Sequence, residues 1–142
     1  MKRVVIDASV VLKWYLPDEA HGEKALSFLN GYIANTLKIM GPSLLEYEVT
    51  NGLIIAYRRG RFKKEKIVSA VEGFLNLGIT LVNLSELYHG AITYCKDYNC
   101  SVYDASYLAL AREKGIDLIT ADERLYNNVK KDLDWVKLLG DI

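Results

Sequence analysis

Five short apolar runs are separated by helical patterns along the whole chain, and this alternation limits the possible folds more than any other feature. The runs are Val4–Ile6, Lys38–Met40, Ile79–Val82, Leu118–Ile119 and Trp135–Leu138. Between them, helical patterns cover Glu19–Ala34, Leu44–Arg59, Lys63–Leu77, Glu86–Tyr98 and Tyr103–Lys114, and a short helix is expected after Thr120. Gly41-Pro42-Ser43 signals a helix start, and Gly78 and Gly115 signal helix ends. Strands separated by helices argue for a mostly parallel sheet covered on both faces. The expectation is one domain over residues 1–142, of α/β class, with three layers α/β/α and roughly five strands. Such sheets bind ligands beyond the carboxyl ends of their strands.

Composition narrows the function classes. The 142 residues, 51% hydrophobic and 25% charged, suffice for one sizeable core. No apolar run approaches the roughly 18 residues of a membrane span. Lys2 and Arg3 before Val4 imitate the start of a signal peptide, but Asp7 interrupts the apolar stretch, and Lys13 and Asp18 follow. Cys95 and Cys100 are too few for a disulfide framework or a zinc site. A cytoplasmic protein is expected, with no membrane partner. A formal net charge of zero excludes a strongly basic nucleic-acid binder and leaves room for local charge segregation. The absence of glutamine hints at adaptation to heat.

Several acids do not fit the apolar pattern. Asp7 follows the first strand at once, and Asp122 follows "DLIT". In "GPSLLEYEVTNGLIIAYRRG", Glu46 and Glu48 point to nearly opposite sides at about 100° per residue. Glu48 falls inside the apolar stripe of Leu44, Leu45, Gly52, Ile55 and Ala56, whereas Glu46 lies at its border. A carboxylate on a buried face needs a cation or hydrogen-bond donors. In "NCSVYDASYLALAREKG", Asp104 shares a face with Leu108 and Ala111. Each acid also has an ordinary reading. Ser43 with Glu46, Ser101 with Asp104, and Thr120 with Glu123 all have capping-box spacing, and Asp7 alone reads as a turn or cap. The set is harder to dismiss: two acids at strand ends and two on inward helix faces.

The segments "VVIDASVVLKWYLPDE", "PSLLEYEVTNGL", "YDASYLALA" and "LITADERL" together resemble the PIN domain family, and within it the VapC-type toxins of prokaryotic toxin–antitoxin pairs. They occur in the family's order and cover nearly the whole chain. Carried over by position, the family's acidic quartet falls on Asp7, Glu48, Asp104 and Asp122. The family's acid-then-Val spacing selects Glu48 over Glu46. Ser9 and Thr120 match supporting hydroxyl positions, and Asn51 matches a polar position one helical turn after the glutamate. The resemblance implies an endoribonuclease leaving 5′-phosphate and 3′-hydroxyl ends. It also implies a homodimer and a cognate antitoxin that covers the acidic site or wraps a groove between helices.

Converging carboxylates repel one another, and a divalent cation relieves this. All-oxygen ligands suit Mg²⁺, or Mn²⁺ in its place, and not zinc; His21 and His89 lie outside the acidic segments. A cation so held suits phosphodiester hydrolysis. For the polyanionic substrate, "AYRRGRFKKEK" offers Arg58, Arg59, Arg61 and Lys63, with Lys64 and Lys66 beyond and Tyr57 and Phe62 for stacking on bases. The plain reading of that segment is a solvated connection between helices. Lys13, Trp14 and Tyr15 follow the first acid and are further candidates to face substrate. Three competing readings remain: a PIN nuclease of RNA processing or ribosome maturation, a receiver-like metal-binding signalling module, and a catalytically silent RNA-binding module. The receiver reading wants its acids on strands, and Glu48 and Asp104 are expected on helices.

Overall fold

The computed structural model describes residues 1–142. In chain order the elements are β1 (Lys2–Ile6), α1 (Ala8–Val11), α2 (Gly22–Ile33), β2 (Leu37–Pro42), α3 (Leu44–Arg58), α4 (Ile67–Asn76), β3 (Thr80–Val82), α5 (Leu84–Tyr98), α6 (Val102–Lys114), β4 (Asp117–Thr120), α7 (Glu123–Val129) and β5 (Val136–Leu138). Three 3-10 turns, Leu12–Trp14, Lys64–Lys66 and Leu139–Asp141, complete the chain. The strands form one sheet in the order β3-β2-β1-β4-β5, and every neighbouring pair is parallel. The α/β class and the five strands agree with expectation.

β1 is central because it is apolar on both sides. Val4, Val5 and Ile6 point alternately to opposite faces and all are 0% exposed, so both faces are covered. Val4 pairs with Ile39 of β2 on one side and Asp117 of β4 on the other. α6 packs across β1, β2 and β4, and its residues Ala105 to Ala111 are all buried. The many small side chains there let α6 lie between the sheet and α5. Strand order reverses at β1, with β2 to one side and β4 to the other. Crevices at such reversals are where open α/β sheets place ligands.

The boundaries differ from expectation where long-range contacts intervene. α2 begins at Gly22 and not at Glu19, because Asp18 and Glu19 are engaged by Arg61 and His21 adopts a φ of 62°. Lys64–Lys66 forms a separate 3-10 turn, so α4 starts only at Ile67. The short helix α1 and the turn after it were not expected. Gly115 ends α6 as expected: its φ of 65° lets the Ile116 amide reach back to the Ala111 carbonyl at 3.1 Å.

Two capping expectations need correction. Ser43 precedes α3 with helical backbone angles and makes no side-chain cap, so the Ser43–Glu46 box does not form. Asp122, not Thr120, caps α7; its Oδ1 accepts from the amides of Arg124 and Leu125 at 3.0 and 3.2 Å. The buried stripe of α3 is also rotated from the expected one. It consists of Leu45, Val49, Leu53 and Ala56, with Ile55 exposed and Glu48 half-buried at its edge.

Gly52 is where α3 meets the turn after α1. A Cβ there would stand 2.4 Å from Leu12 Cδ1 and 3.1 Å from Leu12 Cγ. Gly52→Val is therefore expected to destabilise the fold by about 1–3 kcal/mol through overpacking. A urea midpoint equal to that of the parent would show that Leu12 yields freely.

Candidate active site

Asp7 leaves β1 and enters α1, and its backbone amide donates to Ile119 of the adjacent β4 at 3.3 Å. Its side chain is 6% exposed. Ser9 and Thr120 donate short hydrogen bonds to Asp7 Oδ1 and Oδ2. The same two hydroxyls tie the strand ends together. Ser9 Oγ accepts from the Ala121 amide at 2.8 Å, and Thr120 Oγ1 accepts from the Asp122 amide at 3.0 Å. Hydroxyls suit this position because each can donate and accept at once. Burial pushes the Asp7 carboxyl up to about 6, against the pull of the Ser9, Thr120 and Val10 hydrogen bonds; the charge of Asp122 adds a further push.

The other acids arrive from three further elements. Glu48, half-buried on α3, accepts a 2.6 Å hydrogen bond from the Tyr107 hydroxyl. Burial raises its pKa, the Tyr107 bond opposes this, and Asp104 adds repulsion. Asp104 sits in the first turn of α6, where its amide donates to Ser101 Oγ at 3.1 Å. That bond is half of the expected capping box and leaves the Asp104 carboxylate free. Burial raises its pKa and Asp122 raises it further, with Arg124 opposing. Asp122 is exposed. Burial and the charge of Glu48 push the phenol of Tyr107 well above its ordinary value.

All four acids line one open cleft of about 300 Å³, together with Ser9, Asn51 and Tyr107. The cleft lies at the carboxyl ends of β1 and β4. Leu12, Gly52 and Ile55 form its apolar side, and no lysine or arginine is among its walls. As the side chains stand in this structure, no three carboxylate, histidine or cysteine groups are close enough together to hold one metal ion. The acids are arranged around a shared opening. A larger groove of about 550 Å³ lies between α5 and α6, and its wall mixes Arg112 with Glu86, Asp97 and Glu113.

A model of the PIN domain matches residues 4–131. The chain belongs to the PIN domain family. Among similar proteins, Ribonuclease VapC3 of Pyrobaculum aerophilum is 27% identical over 125 residues, which are 87% of this chain and 92% of that protein. Two solved structures share the PIN fold. One is VapC20 of Mycobacterium tuberculosis, described as a Sarcin-Ricin loop cleaving toxin, with a TM-score of 0.62, 17% identity, and coverage of 87% of this chain and 93% of that one. The other is a toxin-antitoxin complex from Klebsiella pneumoniae, with a TM-score of 0.51, 12% identity, and coverage of 87% and 89%.

By ligand chemistry, though not by the present spacing of the side chains, the acids of the PIN cleft suit a hard divalent cation. Its acids are all oxygen ligands, three of them have raised pKa values, and no protein cation lies among its walls to neutralise them. Tyr107 is not a candidate from sequence, because an aromatic residue in an apolar helix reads as core. Of the other candidates, Arg58, Arg59 and Lys63 are exposed, but Arg61 is not a free cation. Its guanidinium holds Asp18 at 3.0 and 3.2 Å and Glu19 at 2.9 Å. Lys13 is occupied by Glu19 at 3.4 Å, and the Trp14 indole donates to the Ala25 carbonyl at 2.9 Å. No helix is long and apolar enough to cross a membrane.

Proposed function

We propose that this PIN domain is a Mg²⁺-dependent endoribonuclease, with Mn²⁺ able to substitute, and that it serves as the toxin of a toxin–antitoxin pair. The observation that carries the reading is the convergence of Asp7, Glu48, Asp104 and Asp122 on one cleft at the strand reversal. The ribonuclease relative and the toxin structures point the same way. Asp7, Glu48 and Asp104 would hold the cation, and Asp122 would complete the set at the exposed mouth. Once bound, the cation supplies Lewis-acid activation of water and neutralises charge on the phosphate.

The chain's own groups do the rest. Ser9 and Thr120 hold both Asp7 oxygens, so the deepest ligand is fixed before substrate arrives. Asp122 uses Oδ1 to cap α7, which leaves Oδ2 to orient a water and accept its proton. The products expected are a 5′-phosphate and a 3′-hydroxyl. Mapping the ends produced from total cellular RNA, with and without chelator, tests this. Chelator-resistant cleavage, or 3′-phosphate ends, would contradict it.

Arg58 and Arg59 end α3, about 15 Å along its axis from Glu48, with Lys63 beyond. On this reading the exposed cations would meet the RNA backbone beyond the cleft. Charge-removing changes at Arg58, Arg59 and Lys63 are expected to weaken RNA binding and to flatten the log–log salt dependence by about 0.7 for each phosphate no longer neutralised. Fluorescence anisotropy over a salt series measures this, and an unchanged slope removes these residues from the interface. Partners proposed on the same reading are an antitoxin over the acidic cleft and a second copy of the chain. Exposed Val68 and Leu75, on one face of α4, are available to that second copy.

A further inference from the structure

We propose that Tyr107 is a positioning residue of this cleft: from α6 it grips one oxygen of Glu48 on α3 and so aims the other toward the cation. The inference rests on the proposed function and extends it to a residue outside the acidic quartet.

The geometry argues for a built contact. The Tyr107 hydroxyl donates to Glu48 Oε1 at 2.6 Å across 59 residues of sequence, a length typical of a charge-assisted bond. Oε2 makes no protein hydrogen bond and stays free for a ligand. The two partners differ in freedom. Tyr107 is 2% exposed and embedded in the buried run Ala105–Ala111, so its ring cannot follow a moving carboxylate. Glu48 is half-buried at the edge of its helix and carries a long, flexible side chain. A rigid donor against a mobile acceptor restricts the acceptor.

Position adds to this. Tyr107 stands three residues after Asp104, nearly one turn along α6, so one helix places Asp104 directly and Glu48 through the phenol. A phenylalanine would fill the same apolar space. Of ten tyrosines, Tyr107 is the one buried below the surface, and its hydroxyl is spent on a site acid. Groups that orient metal ligands in this way commonly contribute about 10–100-fold to metal affinity or activity.

The test is Tyr107→Phe in the full chain, which keeps the ring and removes the hydroxyl. Mn²⁺ alone is the binding probe, followed by calorimetry. Expected are an Mn²⁺ affinity lower by about 10–100-fold, a kcat for RNA cleavage lower by a similar factor, and an unchanged KM for RNA. Far-UV circular dichroism and the metal-free melting temperature are expected to match the parent. In a Glu48→Gln background the same change should alter Mn²⁺ affinity by less than about twofold, because its route is already cut. Parent-like Mn²⁺ affinity in Tyr107→Phe, or losses that multiply in the double variant, would overturn the positioning role. A parent protein without Mn²⁺ binding or metal-dependent cleavage would instead bring down the proposed function, and this inference with it.

Discussion

Asp7→Asn is expected to lose RNA cleavage by about 10³-fold while its metal-free form becomes more stable than the parent at neutral pH. The first effect follows from the proposed function, in which Asp7 would be a fixed ligand of a cation supplying several kcal/mol of transition-state stabilisation. The second follows from burial. The Asp7 carboxyl titrates at about 6 in the fold against an ordinary value of 3.8, so folding disfavours its charged form. Between those pH values the folded state holds a proton that the unfolded state has released, and stability falls as pH rises through this window. Above it the penalty is constant at about 3 kcal/mol.

Asparagine carries no charge and can still accept from one hydroxyl and donate to the other. The metal-free variant should therefore melt about 5–10 °C above the parent at pH 8. The gain should vanish below about pH 4, where Asp7 is protonated in both states of the parent. Thermal melts in chelator at several pH values measure it. A variant less stable than the parent at pH 8 would mean that the Ser9 and Thr120 bonds outweigh desolvation.

The second large effect is that of the cation itself. Chelation is expected to reduce cleavage to background, and millimolar Mg²⁺ or Mn²⁺ to restore it. The same ions should stabilise the folded parent by about 2.7 kcal/mol at a hundredfold excess over the dissociation constant. This stabilisation should be larger at pH 8 than at pH 5, because below about 6 the cation must displace a proton from Asp7. Asp7→Asn should show little of it. Cleavage that persists after exhaustive chelation, or a melting temperature indifferent to Mg²⁺ at every pH, would remove the metal from the mechanism.

Local patterns are enough for the strands. Val4, Val5 and Ile6 are legible because a run apolar on both faces has few places to go except the middle of a covered sheet. Asp7 alone reads as a turn or cap, and it stands out only as one of a set of acids at strand ends and inward helix faces. Caps are less legible. Ser43 caps nothing, and Thr120 spends its hydroxyl on Asp7 and the Asp122 amide. A hydroxyl can satisfy a nearby helix end or a distant carboxylate at similar free energy, and spacing alone does not say which. Arg61 reads as one cation in a basic run, yet its partners Asp18 and Glu19 lie more than forty residues earlier in the chain.

The chain order by itself established an alternating α/β architecture, its approximate elements, and four acids out of place among apolar neighbours. Only the tertiary structure decided that those acids share an opening, because β1 and β4 become neighbours across more than a hundred residues and nothing local encodes that pairing. It alone also showed the hydrogen bonds by which side chains hold Asp7 and Glu48. Ser9 and Thr120 stand out in sequence only through the family resemblance, and Tyr107 not at all; which oxygens they bind depends on where packing leaves a carboxylate within reach of a hydrogen-bond donor.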